Sequence, residues 1–195
     1  MRHNLSEIIE LIKDRRTIYP EFYSNRPVHK EQIEVILNSA IWAPSHKLTQ
    51  PWRFKVFMDE GKQRLGSFLK ELYINKVPKE DQKELKLNRM TDRATRASAV
   101  IGICMSRDEK ESVPEIEEIQ AVACAVQNMY LICTAYGLGG FYSTPKFVMT
   151  QEMNEFLGLE EKDLCLGLFY IGYPEGEWPK SRRKPIEYVT EWNHQ

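Results

Sequence analysis

Apolar residues recur at helical spacing from the start of the chain. Leu5, Ile8, Ile9, Leu11 and Ile12 share one face and predict a helix over Asn4 to Arg15, with Asn4 as its N-cap. Thr17 to Pro27 carries two prolines among polar residues and reads as a loop. Ile33, Ile36, Leu37 and Ala40 predict a second helix over Lys30 to Trp42, stopped by Pro44. Trp52 to Met58 alternates apolar and polar positions, the period of a half-buried strand. Glu60 to Lys76 reads as helical. Pro78 to Arg96 is charge-rich with few apolar anchors, which predicts a solvated helical stretch or a mobile lid. Ala99 to Met105 and Leu164 to Gly172 are near-continuous apolar runs suited to buried strands. Glu115 to Tyr136 is long and mostly apolar, a central buried helix ended by Gly137-Leu138-Gly139-Gly140. Phe141 to Ser143 predicts a short strand, and Thr150 to Leu157 a short helix capped by Thr150.

Helices interleaved with strands imply an α/β or α+β class, and 195 residues imply one domain with room for an appended arm. The tail from 174 to 195 is polar and Pro-containing, yet holds Trp178, Ile186, Tyr188, Val189 and Trp192. So many large apolar groups at a terminus predict packing on something, a partner subunit included. Charge is balanced, 27 basic against 28 acidic residues, which gives no bulk argument for nucleic acid or an anionic membrane. The longest apolar runs are too short to span a bilayer, and the amphipathic start is not a signal core, so a cytoplasmic location is expected. Cys104, Cys124, Cys133 and Cys165 have apolar neighbours and no C-x-x-C pairing, which predicts small buried hydrophobes. The four histidines share no ligand spacing with them, so no metal site is expected.

Two segments could carry chemistry. Arg15-Arg16-Thr17 offers fork-shaped cationic donors and a hydroxyl, suited to a phosphate or to the C-terminus of a helix. Ala43 to Trp52 concentrates Pro44, Ser45, His46, Lys47, Thr49 and Gln50 between a helix and a strand, where ligands tend to bind. The glycines at 137, 139 and 140 end a helix and lack dinucleotide-fingerprint spacing. No G-x-S-x-G is present, Cys104 sits in an apolar strand, and the basic run Lys180 to Lys184 is short.

Arg15-Arg16-Thr17, Pro27-Val28, Ala43-Pro44-Ser45 followed by Gln50-Pro51-Trp52-Arg53-Phe54, Tyr136 to Gly140, Ile171 to Pro174, and Arg182-Arg183-Lys184-Pro185-Ile186 resemble, in order and spacing, the FMN-dependent nitroreductase family. The form of the loop is most similar to its compact members, although many relatives carry Gly-Gly-Asn where this chain has His46-Lys47-Leu48. The resemblance implies an α+β fold with a mostly antiparallel sheet over residues 1–173, and a homodimer whose C-terminal arms (174–195) are exchanged. It also implies FMN as cofactor, NADH or NADPH as cosubstrate, and ping-pong delivery of two electrons to a nitroaromatic, quinone or related acceptor. By position, Arg15, Arg16 and Thr17 would hold phosphate and ribityl chain, with Arg182 or Arg183 completing the clamp. Trp42, Pro44, Ser45, His46 and Gln50 would form a wall against the flavin, Trp42 and His46 reaching it across the subunit boundary. Tyr142, Ser143 and Thr144 would face its ring, and no dedicated catalytic acid or base is implied. A flavin carrier or sensor, or a dehalogenase or enone reductase on the same scaffold, are the alternatives.

Overall fold

The computed structural model describes residues 3–194. Its helices among these residues are α1 (Leu5–Asp14), α2 (Lys30–Ala40), α3 (Glu60–Lys76), α4 (Glu84–Arg96), α5 (Glu115–Ala135) and α6 (Gln151–Leu157). The strands are β1 (Trp52–Phe57), β2 (Ala99–Met105), β3 (Gly139–Ser143) and β4 (Leu164–Gly172), in the order β1-β2-β4-β3. Every pairing in this sheet is antiparallel, so the class is α+β. No described helix is long and apolar enough to cross a membrane.

Both faces of the sheet are covered. On one side Ile36, Ala40, Val122, Ala125 and Met129 of α2 and α5 pack on Ile101, Ile103, Phe169 and Ile171. On the other, Leu65 and Leu69 of α3, Ala94 of α4 and Met153 of α6 pack on Val100, Cys104, Leu168 and Tyr170. Central strands with two buried faces need apolar residues at successive positions, which is why β2 and β4 read as continuous runs while edge strand β1 alternates.

The expected Asn4 cap is present, while several other local expectations are corrected. Asn4 caps α1, its Oδ1 accepting from the Ser6 and Glu7 amides. Thr150 precedes α6 but makes no side-chain cap; its hydroxyl donates instead to the Phe147 carbonyl. The segment 78–96 is not merely a solvated lid, because Ala94 is fully buried and Met90 packs beside it on α3. Strand β3 begins at Gly139, not Phe141. Gly137 makes the turn at φ +69°, whereas Gly140 is needed for space, since a Cβ there would lie 2.7 Å from Phe169 Cζ. Cys124 is exposed while the other three cysteines are buried. Finally, α5 is buried on one side only. Ile116, Gln120, Ala123, Cys124, Gln127 and Ala135 form an exposed stripe on a helix whose composition had suggested full enclosure.

The tail starts on its own chain. Pro174 bridges to Tyr23, the Glu175 amide donates to the Phe22 carbonyl at 2.7 Å, and Trp178 Nε1 donates to the Asp14 carbonyl at 2.7 Å. Past Lys180, Ile186, Tyr188, Val189 and Trp192 all lie exposed.

Candidate cofactor site

The first group of predicted residues gathers around Tyr130, near the C-terminal end of α5. The chain leaves α1 and runs beside β3, with Thr17 bridging Gly140 and the Ile18 amide donating to the Gly140 carbonyl at 3.0 Å. This places the Arg15 guanidinium over the Tyr130 ring, 5.1 Å from its centroid. The Tyr130 hydroxyl accepts from the Tyr142 amide at 2.8 Å and lies 3.5 Å from Thr17 Oγ1. Arg15 makes no side-chain hydrogen bond or ion pair among the described residues, so its donors remain available. Arg16 is already engaged, Nε donating to the Pro179 carbonyl at 2.6 Å and Nη1 to the carbonyls of Lys13 and Arg15. Its guanidinium holds the tail's start in place. Ser143 and Thr144 follow at the strand's end, half-buried and exposed respectively. Tyr142 donates its hydroxyl to the Leu166 carbonyl at 2.9 Å, and burial pushes its phenol up, so it stays a neutral positioning group.

The second group, the loop 43–51, lies against the N-terminal end of α5. His46 Nδ1 pairs with Glu117 at 2.5 Å, and Lys47 Nζ donates to the Ser112 carbonyl at 2.7 Å. Ser45 Oγ accepts from the Gln50 amide at 2.9 Å, a staple within the loop. Lys47, Leu48 and Gln50 adopt φ of 51°, 56° and 48°, a left-handed backbone that costs side-chain-bearing residues about 1–2 kcal/mol each. Glycine and asparagine adopt it cheaply, which is a physical reason for the Gly-Gly-Asn of many relatives at this point. In this chain the surrounding contacts of the loop hold Lys47 and Leu48 in that strained shape. Trp42, at the loop's base, is 85% exposed, while Trp52 at its end is buried as a core residue.

The structure does not bring the two groups together within one chain. Glu117 and Tyr130 are thirteen residues apart on α5, about 20 Å at 1.5 Å per residue. Arg182 and Arg183 lie exposed in the arm beyond Pro179, with Arg183 Nη1 donating to Ser181 Oγ and to the Arg182 carbonyl.

Comparison with known proteins settles the family. The nitroreductase family model matches residues 12–173. The chain belongs to the nitroreductase family. It is 30% identical over 145 residues to the Escherichia coli (strain K12) protein named "Putative NAD(P)H nitroreductase YdjA", covering 74% of this chain and 77% of that one. A nitroreductase-like family protein from Bacillus cereus superposes with a TM-score of 0.82 at 25% identity over 99% of both chains. A Desulfovibrio desulfuricans structure, solved in complex with FMN, superposes with a TM-score of 0.70 at 24% identity over 99% of both chains. The matched region spans every strand and helix from the end of α1 to β4, so this chain is an oxidoreductase of that fold.

In this nitroreductase the structure also adds residues that the sequence did not single out. Tyr130 is the hub joining Arg15, Thr17 and Tyr142, and its place inside an apolar helix hid it. Arg93 lies over the rings of Tyr19 and Phe141, 5.6 and 4.9 Å from their centroids, and donates to Glu21 Oε1 at 2.8 and 3.0 Å. Partial burial alone would raise the Glu21 carboxyl. The hydrogen bond and charge of Arg93, helped by Arg89, outweigh it and leave the group below its usual value. The long sequence separation of these partners left no local signal.

Proposed function

We propose that this nitroreductase-family protein binds FMN and passes two electrons from NADH or NADPH to a small acceptor, such as a nitroaromatic or quinone, in a ping-pong cycle. The observation that carries the reading is the pair of half-sites at opposite ends of α5, beside a bare stripe on the same helix. Two α5 helices packed antiparallel about a two-fold axis would set the Arg15 end of one chain against the Trp42–His46 end of the other. Such a homodimer would also cover Ile116, Ala123 and Cys124, and would offer a surface to Ile186, Val189 and Trp192 of the arm beyond Lys180.

The donor set fits FMN. Arg15 presents uncommitted guanidinium donors for a phosphate, stiffened by the Tyr130 ring beneath, and Thr17 presents a hydroxyl beside it. Ser143 and Thr144 stand at the free end of β3, where a flat ring can lie on backbone and small side chains. Trp42, Pro44, Ser45, His46 and Gln50 supply the opposing wall, its shape fixed by Glu117 and Ser112. Arg182 or Arg183 of the arm supplies further charge for the phosphate. FMN supplies the exchange of two electrons; the protein binds it, orients it and keeps one face open. No dedicated acid or base is assigned, and none is needed where solvent supplies the protons.

The absorbance spectrum of the purified protein tests this. A flavin spectrum that NADH or NADPH bleaches anaerobically, and that a nitroaromatic restores, is expected. Protein that stays colourless after FMN addition contradicts the cofactor, and a bound flavin that no nicotinamide bleaches favours a carrier.

A further inference from the structure

We propose that the cavity between α3, α4 and the turn after β3 takes planar aromatic acceptors that carry a negative charge. This would set the substrate class of the oxidoreductase, and it rests on the function proposed above. The cavity measures about 560 Å³, a usual size for a small-molecule site. Tyr73, Phe147 and Tyr170 supply aromatic walls, with Tyr73 and Phe147 edge-to-face at 5.6 Å. Such walls favour a flat ring.

The rim is cationic. Lys83, Lys86, Arg89, Arg93 and Lys146 line it, against Asp81 as the one carboxylate among the lining residues. Glu21 neutralises Arg93 and approaches Arg89. Lys83, Lys86 and Lys146 have no ion-pair partner among the described residues. Three uncompensated ammonium groups around an aromatic slot suit a carboxylate or phosphate on the ring.

The site is built in advance. Gln82 Nε2 donates to the carbonyls of Ile74 and Val77 at 2.9 and 2.8 Å, and the Lys83 amide donates to the Tyr73 hydroxyl at 3.0 Å. The turn that carries Lys83 is therefore tied to the aromatic wall. The cavity borders the proposed flavin site: Ser143, assigned above to the ring, lines it together with Pro145. For a nitroaromatic anion the balanced reaction is ArNO2 + NAD(P)H + H+ → ArNO + NAD(P)+ + H2O. The nicotinamide is oxidised, the nitro group is reduced and loses one oxygen as water, and the anionic substituent is unchanged.

The test compares 4-nitrobenzoate with 4-nitrobenzyl alcohol as acceptors for the FMN-loaded protein, in wild type and in the double variant Lys83→Ala/Lys86→Ala. A kcat/KM ratio of at least tenfold in favour of the anion is expected, falling at least fivefold in the variant and falling also with added salt. A wild-type ratio near or below one overturns the proposal, as does a ratio that the variant leaves unchanged. Calorimetric titration with the inert pair 4-hydroxybenzoate and 4-hydroxybenzyl alcohol separates the two readings. If neither nitro compound is reduced, selective binding of the anion that weakens at least fivefold in the variant retains the pocket and discards the redox function. Absence of selective binding discards the pocket.

Discussion

The two ends of α5 hold their residues in different ways. Around Tyr130 the positions are enforced by the core: Tyr142, Thr17 and Arg15 meet over a buried ring, and β3 pairs fully with β4. Around Glu117 they are enforced by exposed polar contacts on a loop with three left-handed residues, next to an exposed tryptophan. The first group is seated on the core of its own chain, whereas the second is exposed and strained. Under the proposed function, the partner subunit closes on the second group.

Breaking the proposed contact should have the largest effect. Ala123→Arg on the bare stripe of α5 would bury an unpaired charge between subunits, at about 3–5 kcal/mol. Dimer and FMN should then be lost together, each affinity falling at least a hundredfold by sedimentation and flavin titration. Next, Arg15→Ala removes a charge-assisted donor worth about 1.5–3 kcal/mol, so FMN affinity should fall about tenfold to a hundredfold while the dimer persists. Tyr130→Phe orphans the Tyr142 amide at about 1–3 kcal/mol, which should lower Tm by roughly 2–10 °C and loosen FMN as well.

His46→Gln should show the opposite balance. Its pair with Glu117 is exposed and worth about 0–1 kcal/mol to the fold, so Tm should barely move while FMN affinity weakens measurably. The Glu21–Arg93 pair gives the smallest effect. Because the folded carboxyl sits below its ordinary 4.5, its contribution is fully present above that value and lost as pH falls through the lowered one. Replacing Glu21 with Gln should remove that acid-side slope from the pH dependence of Tm.

Much of this was legible in the sequence because it is local. The apolar runs of β2 and β4, the spacing of α1 and α2 and the Asn4 cap all act within a few residues, and the ordered motifs marked the family. Tyr130 and Arg93 were not legible because their partners lie far along the chain. Thr150 looked like a cap, but its hydroxyl found the Phe147 carbonyl first. The composition of α5 announces burial all round, yet in the structure one stripe of it is exposed. The tail's composition reads as one arm, yet Arg16 and Trp178 tie its first residues to the end of α1 and the residues after it.

The central claim is that each FMN site is built from both chains, and a mixed dimer tests it most directly. Chains carrying Arg15→Glu and chains carrying Trp42→Ala with His46→Ala should each bind FMN poorly alone. Mixed, they should regain one flavin per mixed dimer, because one of its two sites then combines the unaltered Arg15 end of one chain with the unaltered loop of the other. No recovery of flavin in verified mixed dimers would place the whole site within a single chain and contradict the account.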